Sequence, residues 1–267
     1  MKDRVSIDLK DGVADVRLIR ADKMNALDPA MFEGIIEAGA KLADMKGLRA
    51  VVLSGEGKAF CAGLDMGSFA AMKAEGDAVP GVRDLTKRTH GIANRPQQCA
   101  WLWRELPVPV IAAVHGVAFG GGFQIMLGAD IRYATADARF SVMEIKWGLV
   151  PDLAGTQLMR HLAREDVVRE LTYTGRIFSG TEAREMGFVT RVVDDPRAAA
   201  LETAREIASK SPDAMRANKR LLNAAVAIDA AAGLMMESVE QQKLIGSPNQ
   251  LEAIMSNLQK RAANYKD

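Results

Sequence analysis

The sequence predicts an α/β core followed by an all-helical C-terminal part. Three observations carry this reading. An apolar–polar alternation flanks a turn near the start, two short apolar runs in the middle are closed by glycines, and a helical pattern runs almost unbroken from residue 155 onward. Strands mixed with helices first, then a run of helices, fit one layered core with a helical extension. At 267 residues and 48% hydrophobic content, the chain is long enough to bury a substantial core. The expected division is a core over residues 1–195 and a helical region over 196–267.

Taken in order, residues 5–9 and 13–19 alternate around Asp11-Gly12, the dipeptide preferred in tight hairpins. Asp28-Pro29 reads as an N-cap with proline at the first helical position, opening a helix toward Met45. Residues 50–54 form an apolar run closed by Gly55 and Gly57, hence a buried strand. Residues 67–98 are polar and methionine-containing without a single period, which fits a lid or irregular helices. Residues 108–115 form a second buried strand. It leads through Gly116 and Gly120-Gly121-Gly122 into an apolar helical stretch ending near Gly128. Residues 131–134 and 138–142 read as further short strands. Beyond Gly155, helix starts or breaks fall at Ser179-Gly180, Asp195-Pro196, Ser211-Pro212 and Ser247-Pro248.

Several function classes recede on composition. A formal net charge of +1 gives no reason to expect a nucleic-acid or membrane partner. Cys61 and Cys99 offer no disulfide framework. His90, His115 and His161 are scattered, without metal-ligand spacing, and read as structural. The first residues lack the apolar core of a signal peptide, and the apolar stretch over 110–117 is too short to span a bilayer. The expectation is a cytoplasmic globular protein.

The residues that carry chemistry begin with 111–124, IAAVHGVAFGGGFQ. A strand ends, the backbone turns on glycines and a helix begins. Glycines let another group approach the main chain, and the helix start offers unpaired N–H donors. Such a place suits a phosphate or a developing oxyanion, or else serves tight strand–helix packing. Phosphate-loop patterns fail on spacing: Gly57-Lys58 has Val52 where a Walker loop needs glycine, and no GxSxG elbow is present. A second glycine-containing turn, KAFCAGLD over 58–65, follows the first buried strand.

Together these segments resemble the crotonase family of enoyl-CoA hydratases and isomerases, through FCAGLD at 60–65 and GVAFGGG at 116–122. The likeness extends to DKMNAL at 22–27, Gly175-Arg176 with Ala183 and Gly187, and NYKD at 264–267. The resemblance implies a crotonase spiral of ββα units with a C-terminal helical trimerisation region, as homotrimers or hexamers. It implies an acyl-CoA substrate and no permanently bound cofactor. The backbone N–H groups of Ala62 and Gly121 would form an oxyanion hole for the thioester carbonyl. Lys23, Ala26, Gly63, Leu64, Asp65 and Gly120 would line the coenzyme A and acyl path.

Hydratases of that family place carboxyl groups at the positions of Gln124 and Glu144. Glu144 is present, but position 124 carries an amide, which hydrogen-bonds without exchanging protons near neutral pH. Asp152 follows Glu144 by eight positions. The resemblance therefore implies an isomerase, with Glu144 moving a proton along an unsaturated acyl chain and Gln124 orienting substrate or Glu144. Relatives include Δ3,Δ2-enoyl-CoA isomerases with one glutamate at this position. Dienoyl-CoA isomerases carry acids matching Glu144 and Asp152, plus a third acid at the position of Gln124. The rivals are a one-glutamate hydratase, a thioester hydrolase using Glu144 and Asp152, and a non-catalytic acyl-CoA or protein binder. Met66, Phe69, Met72, Trp101, Trp103 and Trp147 are candidates for an acyl pocket, each with ordinary core packing as its alternative.

Overall fold

The computed structural model describes residues 1, 3–68 and 84–267. Its main sheet begins with the expected hairpin. Strands β1 (Val5–Lys10) and β2 (Val13–Leu18) pair antiparallel, and Asp11 and Gly12 both adopt positive φ, as a tight primed turn needs. Helix α1 (Pro29–Ala43) starts on Asp28, whose carboxylate accepts from the Met31 N–H at 2.7 Å. Then come β3 (Ala50–Gly55) and, after helix α2 (Arg95–Glu105), β4 (Val110–Val114). Helix α2 begins within the stretch expected to be irregular, because Asn94 and Gln97 form a reciprocal capping box.

The chain then shuttles between two sheets. After β4 it enters β5 (Val117–Phe119) and helix α3 (Gly121–Leu127), then β6 (Ile131–Ala134) and β7 (Arg139–Ser141). The small strands β8 (Phe178–Ser179) and β9 (Arg191–Val192) come later. The larger sheet runs β1-β2-β3-β4-β6-β9 and is parallel from β2 onward; the smaller runs β5-β7-β8. This repeated strand, strand, helix course is the expected spiral. Strands β5, β8 and β9 were absent from the expected elements, being only two or three residues long and lacking any readable period.

Helices cover both faces of the parallel sheet, as its uninterrupted apolar strands require. Val51, Leu53, Val110, Ala112 and Val114 face the main core with residues of α1, α2 and α3. Their neighbours Ala50, Val52, Ile111 and Ala113 face the other way, onto Ala200, Ala204 and Ala208 of helix α7 (Pro196–Ala208). The first helix after residue 195 thus covers the core sheet. Between β7 and α7 lie helices α4 (Gly155–Met159), α5 (Glu165–Thr174) and α6 (Gly180–Met186).

Helices α8 (Pro212–Ala225), α9 (Ala230–Leu244) and α10 (Pro248–Leu258) lie beyond. Lys219 of α8 is buried, and its ammonium donates to Trp103 O at 3.0 Å, Val108 O at 2.8 Å and Asp130 at 2.8 Å. Helix α9 buries Glu240 and leaves Leu234 and Met235 outward; Leu251 and Leu258 of α10 are also outward. Among the described residues no helix is long and apolar enough to cross a membrane.

Candidate active site

A cavity of about 860 Å³ opens where the turn after β3, the start of α3 and the segment 143–153 meet. Its lining includes Lys23, Ala26, Ala62, Gly63, Leu64, Asp65, Gly120, Gly121, Glu144 and Asp152. The fold therefore gathers all but one of the residues proposed from the sequence for the oxyanion hole, the acids and the coenzyme A path. Gln124 is the exception: it is fully buried behind Glu144.

The two glycine turns interlock. Gly63 has φ +88°, and a Cβ there would lie 2.6 Å from Phe119 O and 3.9 Å from Gly121 N. A Cβ on Gly122 would meet Cys61 O at 2.4 Å, so α3 approaches the 60–65 turn without room for a side chain. Helix α3 is fixed from beneath by Phe123, whose ring meets Phe140, Phe178 and Phe188 at centroid distances of 6.0, 5.7 and 5.4 Å. Asn25 secures the other side. Its amide donates to Glu56 O at 3.0 Å and Ala59 O at 2.9 Å, and it accepts from Arg20 N at 2.9 Å.

Residues 24–27 lie along 62–65, and this alignment corrects one expectation. The Ala62 N–H donates to Met24 O at 2.9 Å, so it is already engaged and is not available to a ligand. Leu27 N donates to Gly63 O at 2.8 Å and Asp65 N to Leu27 O at 3.1 Å. Between those bonds the Leu64 N–H points away from the pairing, since successive groups along an extended segment alternate in direction. Among the described residues neither the Leu64 nor the Gly121 N–H has a hydrogen-bond acceptor. The available pair is therefore Leu64 with Gly121. Sequence spacing alone does not distinguish it from Ala62 with Gly121.

Asp65 accepts from Arg20 at 2.7 Å and from Gly67 N at 2.8 Å, and these partners hold its carboxyl below the usual range against the opposing effect of burial. Arg20, absent from the sequence candidates, also donates to Ala26 O at 3.0 Å. It thereby ties the 20–26 loop to the 62–65 turn.

The opposite wall carries acids. Glu144 lies in a 3-10 turn over Met143–Trp147, and Asp152 precedes α4. Burial pushes the Glu144 carboxyl above its ordinary range, and Asp152 nearby pushes in the same direction. Burial likewise raises Asp152. Oε1 of Glu144 accepts from Gln124 Nε2 at 2.6 Å, whereas Oε2 is buried with no partner among the described residues. Gly120, at φ +50°, brings its Cα against this acid: a Cβ would lie 3.1 Å from Oε1. Buried acids with raised pKa values beside free N–H donors suit proton transfer next to a polarised carbonyl.

The apolar lining comes from Leu27, Phe32, Met66, Leu85, Met143, Trp147, Leu149, Val150 and Leu153. Of the aromatic and methionine candidates, Met66 and Trp147 line the cavity. Trp103 is fully buried in the core and donates to Cys99 O at 2.9 Å, and Trp101 packs against the same core. Phe69 and Met72 lie outside the described residues. His115 bonds Gly57 O at 2.9 Å, and neither it nor the other histidines lines the cavity.

This geometry agrees with what the chain resembles. Residues 8–267 match the family model described as enoyl-CoA hydratase/isomerase. The chain belongs to the enoyl-CoA hydratase/isomerase family. It is 37% identical over 217 residues to the Delta(3,5)-Delta(2,4)-dienoyl-CoA isomerase of Homo sapiens, covering 78% of this chain and 64% of that one. It is 29% identical over 262 residues to the methylglutaconyl-CoA hydratase of Mus musculus, covering 96% of this chain and 80% of that one. The crystal structure of an enoyl-CoA hydratase from Bacillus anthracis superposes with a TM-score of 0.89 at 31% identity, covering 98% and 99% of the two chains. The protein is thus an enzyme of this family acting on acyl-CoA, and the relatives include both hydratases and isomerases. Family enzymes take coenzyme A in with the thioester substrate and use no permanently bound cofactor.

Proposed function

We propose that this enzyme shifts a double bond along an unsaturated acyl-CoA, with Glu144 as the proton shuttle. The supporting observation is the amide at position 124. Gln124 uses both its amide oxygen and its amide nitrogen in hydrogen bonds and exchanges no proton, so the acid that joins Glu144 on this wall is Asp152. In the proposed reaction the thioester oxygen accepts from the N–H groups of Leu64 and Gly121. Glu144 takes a proton from C2 of a 3-enoyl thioester, and the electron pair spreads into a dienolate held by those donors. Return of the proton to C4 leaves the double bond between C2 and C3. The carboxyl starts as a carboxylate and ends as one, so a single group serves as base and then acid. Lys23, Ala26, Gly63 and Asp65 hold the coenzyme A side in this reading.

Asp152 supports a second reading on the same wall. For a conjugated diene, one carboxyl removes a proton while the other delivers one further along the chain. The dienoyl-CoA isomerase likeness favours this variant. The outward apolar side chains of α9 and α10 support assembly with further copies, as trimers or hexamers. A cytoplasmic location remains part of the proposal.

The test is incubation with 2-enoyl-, 3-enoyl-, dienoyl- and 3-hydroxyacyl-CoAs in D2O, read by mass spectrometry. Deuterium in a shifted double bond, without gain of water, is the expected result. Gain of one water would establish a hydratase, and release of free coenzyme A a thioester hydrolase. Absence of turnover across the panel would favour an acyl-CoA or protein binder.

A further inference from the structure

Gln124 contributes more than the absence of an acid. Its side-chain oxygen accepts from the N–H of Leu153 at 2.8 Å and of Gly155 at 2.9 Å. With the oxygen facing two donors, the amide nitrogen must face Glu144, and it donates to Oε1 at 2.6 Å. Between those two N–H groups sits Ala154, a non-glycine residue at φ +63°. That left-handed conformation is unfavourable for alanine and needs surrounding structure to hold it. The bend ends at Gly155, where a Cβ would meet Gln124 Oε1 at 2.5 Å. Asp152 immediately precedes the bend.

We propose that Gln124 is a positioning residue that clamps both acids at once, gripping Glu144 with its nitrogen and the bend beside Asp152 with its oxygen. This inference rests on the proton-transfer reading for its catalytic consequence, but the clamp itself is a structural claim. Because the amide nitrogen only donates, it commits Oε1 of Glu144 as an acceptor. A proton bound by Glu144 then resides on Oε2, the buried oxygen without a partner among the described residues. Clamp and acids form one unit: the amide fixes which oxygen of Glu144 accepts, which one is left to carry a proton, and where Asp152 stands relative to them.

The experiment compares Gln124→Met and Gln124→Glu with the wild-type enzyme in two readouts. The first is hydrogen exchange at the amides of Leu153 and Gly155. Gln124→Met, of similar length but without acceptor or donor, should lose protection there while the strands keep theirs. Gln124→Glu should keep it, because a carboxylate oxygen still accepts from both N–H groups. The second is the pH profile of C2 proton exchange. Gln124→Met should lower kcat about 10–100-fold with KM little changed, as loss of an orienting partner typically does. Gln124→Glu should recover much of this, with its rising limb displaced to higher pH. Its carboxyl would press on Glu144 from one side while Asp152 already acts from the other, so the acids would share protons. Unchanged protection in Gln124→Met would overturn the clamp. Intact protection differences combined with an unmoved kcat and pH limb would overturn its role in positioning Glu144. If wild-type enzyme exchanges no C2 proton with any thioester, the proton-transfer reading fails, while the amide protection still decides the clamp.

Discussion

The two walls of the cavity are built on opposite principles. One wall, residues 60–65 with 116–122, presents main-chain N–H groups and is fixed by backbone pairing: Cys61 N to Val117 O at 3.0 Å, and Phe119 N to Cys61 O at 3.1 Å. The other, residues 143–155, presents two carboxyl side chains, and one buried amide holds it from behind. The difference teaches where each wall is vulnerable. Added side-chain bulk damages the first, whereas exchanging a carboxyl for an amide alters the chemistry of the second while keeping its volume.

Gly122→Ala should break the first wall most severely. The new Cβ would sit 2.4 Å from a Cys61 carbonyl that its own bonds prevent from moving. Overpacking of this kind costs roughly 1–3 kcal/mol or more, and activity should vanish with it. Urea unfolding would check it, and a wild-type midpoint would show that α3 has more freedom than the contacts imply. Glu144→Gln tests the second wall. It keeps volume, so the fold should stand while C2 proton exchange drops about 10²–10⁴-fold, as loss of a general base does. Exchange measured by deuterium uptake at an undiminished rate would remove Glu144 from the mechanism.

Leu64→Pro sharpens the comparison by deleting a single donor. Proline fits where the N–H takes no part in pairing, so the 62–65 alignment should survive. A loss of about 10²–10³ in kcat is expected. Ala62→Pro should instead destabilise the protein by orphaning Met24 O. Equal behaviour of the two variants would undo the assignment of Leu64. The smallest effect is on stability against pH. Both Glu144 and Asp152 have folded-state pKa values raised by burial. The folded protein therefore binds more protons than the unfolded chain just above the ordinary carboxylate range. Their contribution is full in acid and is lost as pH rises through the raised values. Asp28 and Asp65, lowered by their partners, oppose this trend. The comparison must accordingly be a difference: the double variant Glu144→Gln, Asp152→Asn should be the more stable at neutral pH, with the gap closing in acid. A gap independent of pH would show that the acids carry no burial penalty.

Much of the fold was legible because its signals are local. Asp11-Gly12 turned the hairpin, Asp28-Pro29 opened α1, and Ser179, Asp195, Ser211 and Ser247 each capped a helix with their own side chain. The site was legible as a set of residues but not as a set of bonds. Whether Ala62 or Leu64 offers its N–H depends on the carbonyls of Met24 and Leu27, which arrive from a segment nearly forty residues away in sequence. Likewise, that Gln124 spans both acid segments depends on the left-handed turn at Ala154, a conformation alanine does not advertise.

Lys219 shows how such dependence can also enforce uniqueness. Its three ammonium hydrogens meet three acceptors set in fixed directions on the core, at Trp103 O, Val108 O and Asp130. An apolar plug in that seat would tolerate sliding, since greasy surfaces accept many alignments at similar energy. A charge that is paired in one register is stranded in every other, and a stranded buried charge is strongly disfavoured. Helix α8 therefore has a keyed seat, and a molecule folded with α8 one turn out of place would be rejected by electrostatics before packing could decide.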